Sequence, residues 1–404
     1  MFRIANYAAR YAARHWIPAF ALCGLTIGCG QIVGSLTAEA REPMKLPVEF
    51  RVAESHANLF APLAGRRSIP RNNLDAAFGA MLEHGDAYCA MLYRQQKFDR
   101  TAAAKFIESD RLDAFRASHR SSYVSKLIAG CFNFFIMNDI RPFLDFELAR
   151  SLYPDFSYDC YSVGFMQPYI MHNILGCDTL QMLDIDWRIH AAHWQLLRMY
   201  GEGAFGDRKA ALAAIKKLEL GWIAFSGPLK RRNAVGLATL CRRNQELCLD
   251  HLVRFQAGVR RLDGVRLDLA ALHDGEFRIS DSSSRGDGES ADLKIVYLSN
   301  AIEGVYTTRA QFNLLLARVA GSLPENGRAI YIYHAAGTRS LGFYEQRRTD
   351  DTVAGYEIKT VCKDEYRRRD ANNELESYTT HFERISPTKR PGSCQAALRR
   401  AKLI

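Results

Sequence analysis

A single glycine, Gly164, closes the apolar run Cys160 to Val163, and Asp184 closes a second apolar run, Leu180 to Leu183, twenty residues later. A carboxylate at the end of a buried strand can accept both hydroxyls of a ribose, and a glycine at the end of the preceding strand lets the backbone approach a ligand. Residues 157–187 therefore read as strand, tight turn, helix, second strand and terminal acid, which is half of a nucleotide-binding site. The turn VGFMQPY carries one glycine, where such turns usually carry two or three. Further along, Phe277 to Ser280 reads as a strand ending on Asp281, Leu293 to Leu298 as a central strand ending on Ser299 and Asn300, and Arg328 to Tyr333 as a buried strand followed by His334.

Each of these residues also has a purely structural reading. Gly164 can serve close strand–helix packing, Asp184 or Asp186 can cap the helix that starts near Trp187, Asp281 can cap a turn, and Asn300 can bond to the local backbone. His334 at a strand end can be a base facing a cleft or a hydrogen-bonded structural histidine. His190 and His193 share a helix face beside Asp186, yet no third residue has metal-ligand spacing, and Trp194 points to ordinary packing.

The elements that must position these groups alternate between strand and helix. The pattern predicts an α/β fold with a Rossmann-like, mostly parallel sheet over residues 155–386. A helical region at 73–154 precedes it, with Tyr123 to Met137 apolar enough to be buried and a further helix carrying Ala102 to Ile107. A helical insertion at 200–272, in which Asp207 starts DRKAALAAIKKLEL, interrupts the strand alternation and reads as a lid or as a packing layer. YEIKTVCKDEY and ESYTTHFERI alternate on both sides of a polar loop, as a terminal antiparallel hairpin does. Residues 41–72, punctuated by Pro43, Pro47, Pro62 and Pro70, read as a linker, and 387–404 as a basic tail.

Composition places the chain among ordinary globular proteins: 404 residues, 48% hydrophobic and 24% charged. Its net charge of +10 is spread over many isolated Arg and Lys residues with a few local groups such as Lys230 to Arg232 and Arg367 to Arg369, without zinc-finger spacing or an aromatic-interleaved RNA motif, which fits any anionic partner or plain solubility and makes nucleic acid an unfavoured reading. Arg3, Arg10 and Arg14 precede an uncharged segment from Trp16 to Leu36 and then Thr37-Ala38-Glu39-Ala40. That order reads as an export signal cut after Ala40, or as a membrane anchor, and either places the body outside the cytoplasm; a mistaken start or a cytosolic amphipathic helix is the remaining reading. Ten cysteines leave the compartment open, and Cys241 and Cys248, on one helical pattern, are expected some ~10 Å apart, beyond disulfide reach.

Residues 155–386 resemble the class I, Rossmann-like S-adenosylmethionine-dependent methyltransferase superfamily, and LSNAIEG after an apolar strand is similar to the fourth-strand motif of several bacterial families in it. The resemblance implies S-adenosylmethionine as cofactor, with the first-strand turn at Ser162 to Phe165, the ribose acid at Asp184, a polar residue near adenine at Asp281, and the methionine side at Ser299 and Asn300. Tyr161 and Phe165 are implied as aromatic lining, and the catalytic residues stay unassigned because methyl displacement from a sulfonium needs alignment and a dry pocket more than an acid. The helical insertion loosely resembles that of 3-amino-3-carboxypropyl transferases, which use the same cofactor. An exported protein would seldom meet this cytosolic metabolite, so a binding or scaffold role on a degenerate Rossmann fold is the alternative expectation.

Overall fold

Two short strands flank the N-terminal side of the described chain. The computed structural model describes residues 46–57, 66, 68–82, 137, 139, 141–218, 222–223, 230–231, 237–241, 244–270, 272, 292–302, 307–325, 327–334, 341–364 and 379–404. The expected export segment at 1–40, the helical patterns over 83–136 and the Phe277 to Asp281 strand lie outside them. In chain order the elements are β1 (Val48–Val52), α1 (Glu54–Ala57), β2 (Ser68–Ile69), a helical stretch at 74–82, α2 (Pro142–Leu152), β3 (Ser157–Val163), α3 (Gln167–Leu175), β4 (Thr179–Asp184) and α4 (Trp187–Gly201). Then come α5 (Arg208–Ile215), a small sheet of β5 (Trp222–Ile223) and β6 (Lys230–Arg231), α6 (Leu237–Leu240), α7 (Gln245–Gly258) and β7 (Gly264–Leu269). The chain continues through β8 (Asp292–Ser299), α8 (Arg309–Gly321), β9 (Arg328–His334), β10 (Leu341–Arg348), β11 (Tyr356–Lys363), α9 (Thr379–Ile385) and α10 (Cys394–Arg400).

Nine of these strands form one sheet in the order β11-β10-β9-β8-β3-β4-β7-β1-β2. β9, β8, β3, β4, β7 and β1 run parallel, β10 and β11 close one side antiparallel, and β2 closes the other. The protein is thus an α/β protein with a Rossmann-like, mostly parallel sheet and a terminal antiparallel hairpin. From β3 the chain moves outward to β4 and β7, then returns to place β8 on the other side of β3. That reversal is a topological switch point, where open α/β sheets leave a crevice outside the carboxyl ends of their strands.

Period-two alternation assigns the faces. Cys160 of β3, Met182 of β4 and Ile295 of β8 face one core with Phe146, Tyr169, Ile170 and Phe255 from the helices. Tyr161, Leu183 and Val296 face the other, with Phe312, Leu315 and Val319 of α8 and Phe382 of α9. Local chemistry sets the helix ends. Asp207 caps α5 through Ala210 N at 2.8 Å, Gly176 takes the left-handed conformation that ends α3, and Thr308 and Gln311 form a capping box on α8.

Four sequence expectations are corrected here. Residues 41–72 are no simple linker, because Val48, Phe50 and Val52 alternate and β1 joins the sheet beside β7. The 200–272 insertion is not helical throughout: among its described residues β5 and β6 form a two-stranded pair, and after the 3-10 turn Val259–Arg261 GVRLDL forms β7, which pairs with β4 on the side opposite β3. The hairpin partner of β11 is β10, and TTHFERI is helix α9, since Phe382 packs under Tyr344 and Tyr331 rather than alternating along a ladder. The basic tail is anchored: Cys394 of α10 is bonded to Cys362 of β11, and Leu398 is buried.

The remaining described cysteines are bonded too, Cys160 with Cys177 and Cys241 with Cys248. The second pair overturns the expected ~10 Å separation of one continuous helix: α6 ends at Leu240 and α7 starts at Gln245, so the Cα atoms of Cys241 and Cys248 lie 6.0 Å apart. No described helix is long and apolar enough to cross a membrane.

A polar stripe crosses the β1–β7–β4 part of one face, where Glu49 pairs with Arg51 and Arg266, and Gln181 donates to Asp268. Burial pushes the Asp268 carboxyl up to about 7, against the pull of Arg266 and Arg51. Between the unfolded carboxylate range and this raised value the folded protein holds a proton that the unfolded chain has released, so this group's contribution to stability falls as pH rises from about 4 to about 7. Asp268→Asn removes that slope. Urea titrations at a series of pH values are expected to show the variant gaining on the wild type by up to about 1.4 kcal/mol per pH unit across that window and then holding a constant offset. Parallel curves at all pH values would show that Asp268 titrates normally.

Candidate functional site

The carboxyl ends of β8, β3 and β4 are adjacent in the sheet, and they bring Ser299, Asn300, Gly164 and Asp184 to one edge. Gly164 has φ +84°, a left-handed backbone that favours glycine, and a Cβ there would stand 2.7 Å from Gln167 Oε1, so the end of that side chain would have to move aside. Its amide donates to Asp184 Oδ2 over a long 3.4 Å, while Asp184 Oδ1 accepts the Asp186 amide at 2.9 Å. These bonds tie the two strand ends together and leave each carboxylate oxygen with capacity for a further donor. Burial raises Asp184 to about 6, partly offset by the amides of Asp186, Gly164 and Ile185.

Asp186 caps α4 through the Arg188 amide at 2.9 Å. Burial raises its carboxyl to about 7, Arg188 opposes that, and the neighbouring Asp184 charge adds to it. Asp186 therefore takes the cap, and Asp184 faces the Gly164 turn. His190 Nε2 donates to the Asp184 carbonyl at 3.0 Å, and burial lowers its ring to about 4. His193 pairs with the Tyr169 hydroxyl at 2.9 Å, and burial holds it well below the usual histidine range. Both rings serve packing of α4 against the sheet, and among the described residues no cluster of His, Cys, Asp and Glu has metal-binding geometry.

The two aromatic residues expected to line a pocket do not do so. Phe165 is 1% exposed and packs against His193 and Tyr169, with ring centroids 5.0 and 6.3 Å away. Tyr161 is equally buried, in the core facing α8. Apolar rings inside a close-packed core gain more from burial than from lining a crevice. Asp281 lies outside the described residues, and the third strand end beside Asp184 belongs to β7, whose Ala270 amide donates to the Asp184 carbonyl at 3.1 Å.

Sequence reading missed the polar centre beneath β8. Asp139, buried and far upstream in the chain, accepts from Gln167 Nε2 at 2.8 Å, from the Tyr297 hydroxyl at 2.9 Å, and from Ser299 Oγ at 2.9 Å to Oδ1 and 3.1 Å to Oδ2. His334 Nδ1 stands 3.6 Å from Asp139 Oδ1, which makes it a neighbour at ion-pair range rather than a hydrogen-bonded partner. Behind them, burial and then the Asp139 charge push the Asp145 carboxyl well above its ordinary value. Ser299 has φ +47°, a left-handed backbone that costs a non-glycine residue roughly 1–2 kcal/mol. One signal was present: Tyr297 is the polar-tipped ring inside the apolar run of β8, and a buried tyrosine hydroxyl needs a partner.

Comparison with known proteins adds no identity: no family model matches the chain, and no curated protein matches it. What the fold defines is a class, an α/β protein whose topological switch point is edged by a left-handed glycine and a carboxylate.

Proposed function

We propose that this edge binds S-adenosylmethionine and that the protein is a transferase acting from it on an acceptor still to be identified. The observation that carries the reading is the pairing of Gly164 with Asp184 at the switch point, beside Ser299 and Asn300. Asp184 accepts the ribose hydroxyls, the side-chain-free face of Gly164 admits the backbone side of the ligand, and Asn300, half-buried at the end of β8, offers both a donor and an acceptor. The cofactor, when bound, supplies an electrophilic carbon on a sulfonium; the protein's part is to align it and keep water away. Gly164 and Asp184 fit that demand, whereas Tyr161 and Phe165 belong to the core and are not assigned to the ligand. Scattered arginines and lysines around the body favour an anionic acceptor.

A second reading has its own observation. Three buried disulfides among the described residues favour an oxidising compartment, where an exported protein would use the same scaffold for binding without S-adenosylmethionine chemistry. Calorimetric titration of the full chain with S-adenosylmethionine and S-adenosylhomocysteine separates the two. Saturable heat for both ligands is expected, and absence of heat at millimolar ligand would remove the transferase reading in favour of the second.

A further inference from the structure

The groups around Asp139 join three parts of the chain: Asp139 itself ahead of α2, the first turn of α3 through Gln167, and the end of β8 through Tyr297 and Ser299. The carboxylate sits under the ligand edge rather than on it. Its oxygens are taken up by protein donors, and Ser299 gives its hydroxyl to Asp139 rather than to the crevice. The same Ser299 holds the left-handed backbone, at the point where the pairing of β8 with β9 slips between Tyr297 and Ser299. Asn300 follows immediately, so the backbone angle of Ser299 sets where Asn300 is carried. Gln167, held through its amide nitrogen, has its oxygen directed at the Gly164 turn. Both sides of the edge are therefore set from one buried carboxylate.

We infer that Asp139 is a positioning residue for the ligand edge, acting by holding Ser299 in its left-handed conformation and Gln167 against the Gly164 turn. This deepens the adenosyl-binding reading and rests on it. The charged and titratable groups facing Asp139 are Asp145, Tyr297 and His334. They share its burial, so the arrangement is a fixed clamp and not a surface ion pair.

Two pairs of variants test it by S-adenosylhomocysteine titration of the full chain. Ser299→Ala keeps the left-handed strain and removes the bond to Asp139, whereas Ser299→Gly removes the bond and the strain together. Affinity is expected to be at least fivefold weaker for the alanine than for the glycine variant. Equal losses would mean that the hydroxyl itself contacts the ligand, and would overturn the inference. Asp139→Asn leaves one acceptor oxygen for three donors, and is expected to weaken binding at least tenfold in the wild-type background but less than threefold in the Ser299→Gly background. Equal losses in both backgrounds, or none, would also overturn it. Should the wild type bind no ligand, the transferase reading fails first, and the clamp is read by amide hydrogen exchange. Exchange at 164–167 and 299–300 is expected to rise at least tenfold in Asp139→Asn, or in Ser299→Ala if the former does not fold, against unchanged rates in β4; unchanged rates at both segments would end the proposal.

Discussion

Asp184→Ala is expected to weaken S-adenosylhomocysteine binding by at least 30-fold while leaving the fold intact. Two hydrogen bonds from ribose hydroxyls to an ionised acceptor are worth about 1.5–3 kcal/mol each, and their loss is softened only by water entering the space. The variant also removes the acceptor of the half-buried Gly164 amide and of the buried Asp186 amide, so a circular dichroism melt of the variant accompanies the titration. A pH series on the wild type gives an independent check, because Asp184 is raised to about 6 by burial. Protonation removes acceptor capacity, so affinity is expected to be constant above about pH 7 and to fall as pH drops through about 6. An unchanged Kd in Asp184→Ala, measured by calorimetry, would place the ribose elsewhere or remove the ligand from this edge.

Reduction of the disulfides is expected to have the largest effect on stability. Cys160–Cys177 and Cys362–Cys394 span 17 and 32 residues, and loops of such length contribute about 3–4 kcal/mol each on a chain-entropy argument. Their sum approaches the whole stability of a typical domain, roughly 5–15 kcal/mol. Circular dichroism melts with and without a thiol reductant are expected to show the reduced protein largely unfolded at 37 °C. Alkylation of the denatured, unreduced protein followed by mass measurement is expected to leave Cys160, Cys177, Cys241, Cys248, Cys362 and Cys394 unlabelled. Labelling of all six in protein that melts normally would remove the structural support for an oxidising compartment, and with it the second functional reading.

The parts of the fold legible in the sequence were those governed by local periodicity. The β3–α3–β4–α4 passage, β8, α8 and β9 each carry an apolar run or stripe bounded by a turn or cap, and they fall where the pattern places them. Strands β1, β7 and β10 went unread because they lie beside stronger competing signals. GVRLDL follows a long helical stripe, and VEFRV sits just after Pro47, in a proline-rich stretch. LGFYEQRR resembles a polar connector because its outer half ends in charge, yet most of it is buried. The contact between Gly164 and Asp184, on which the candidate site is built, was readable from a twenty-residue step. Asp139 was not, since its partners lie 28, 158 and 160 residues away, and no local pattern encodes a contact at such range. Tyr161 shows the complementary limit: a period-two run tells which face a ring takes but not whether that face is open.

The pairing of β1 with β7 bears on how the chain reaches this state. Val48 meets Val265 and Phe50 meets Leu267, so the first strand waits for more than two hundred residues of synthesis before its parallel neighbour exists. Its antiparallel neighbour β2 is two residues long and cannot shelter it alone. Long-range parallel pairing is slow, because loop closure must be completed before the contacts reward it. Meanwhile a strand with Phe50 and Val52 exposed is a template for pairing with other chains. Productive folding of this protein therefore depends on keeping its early strand solitary, and overproduction at speed is the condition in which self-association through that strand would outrun assembly of the sheet.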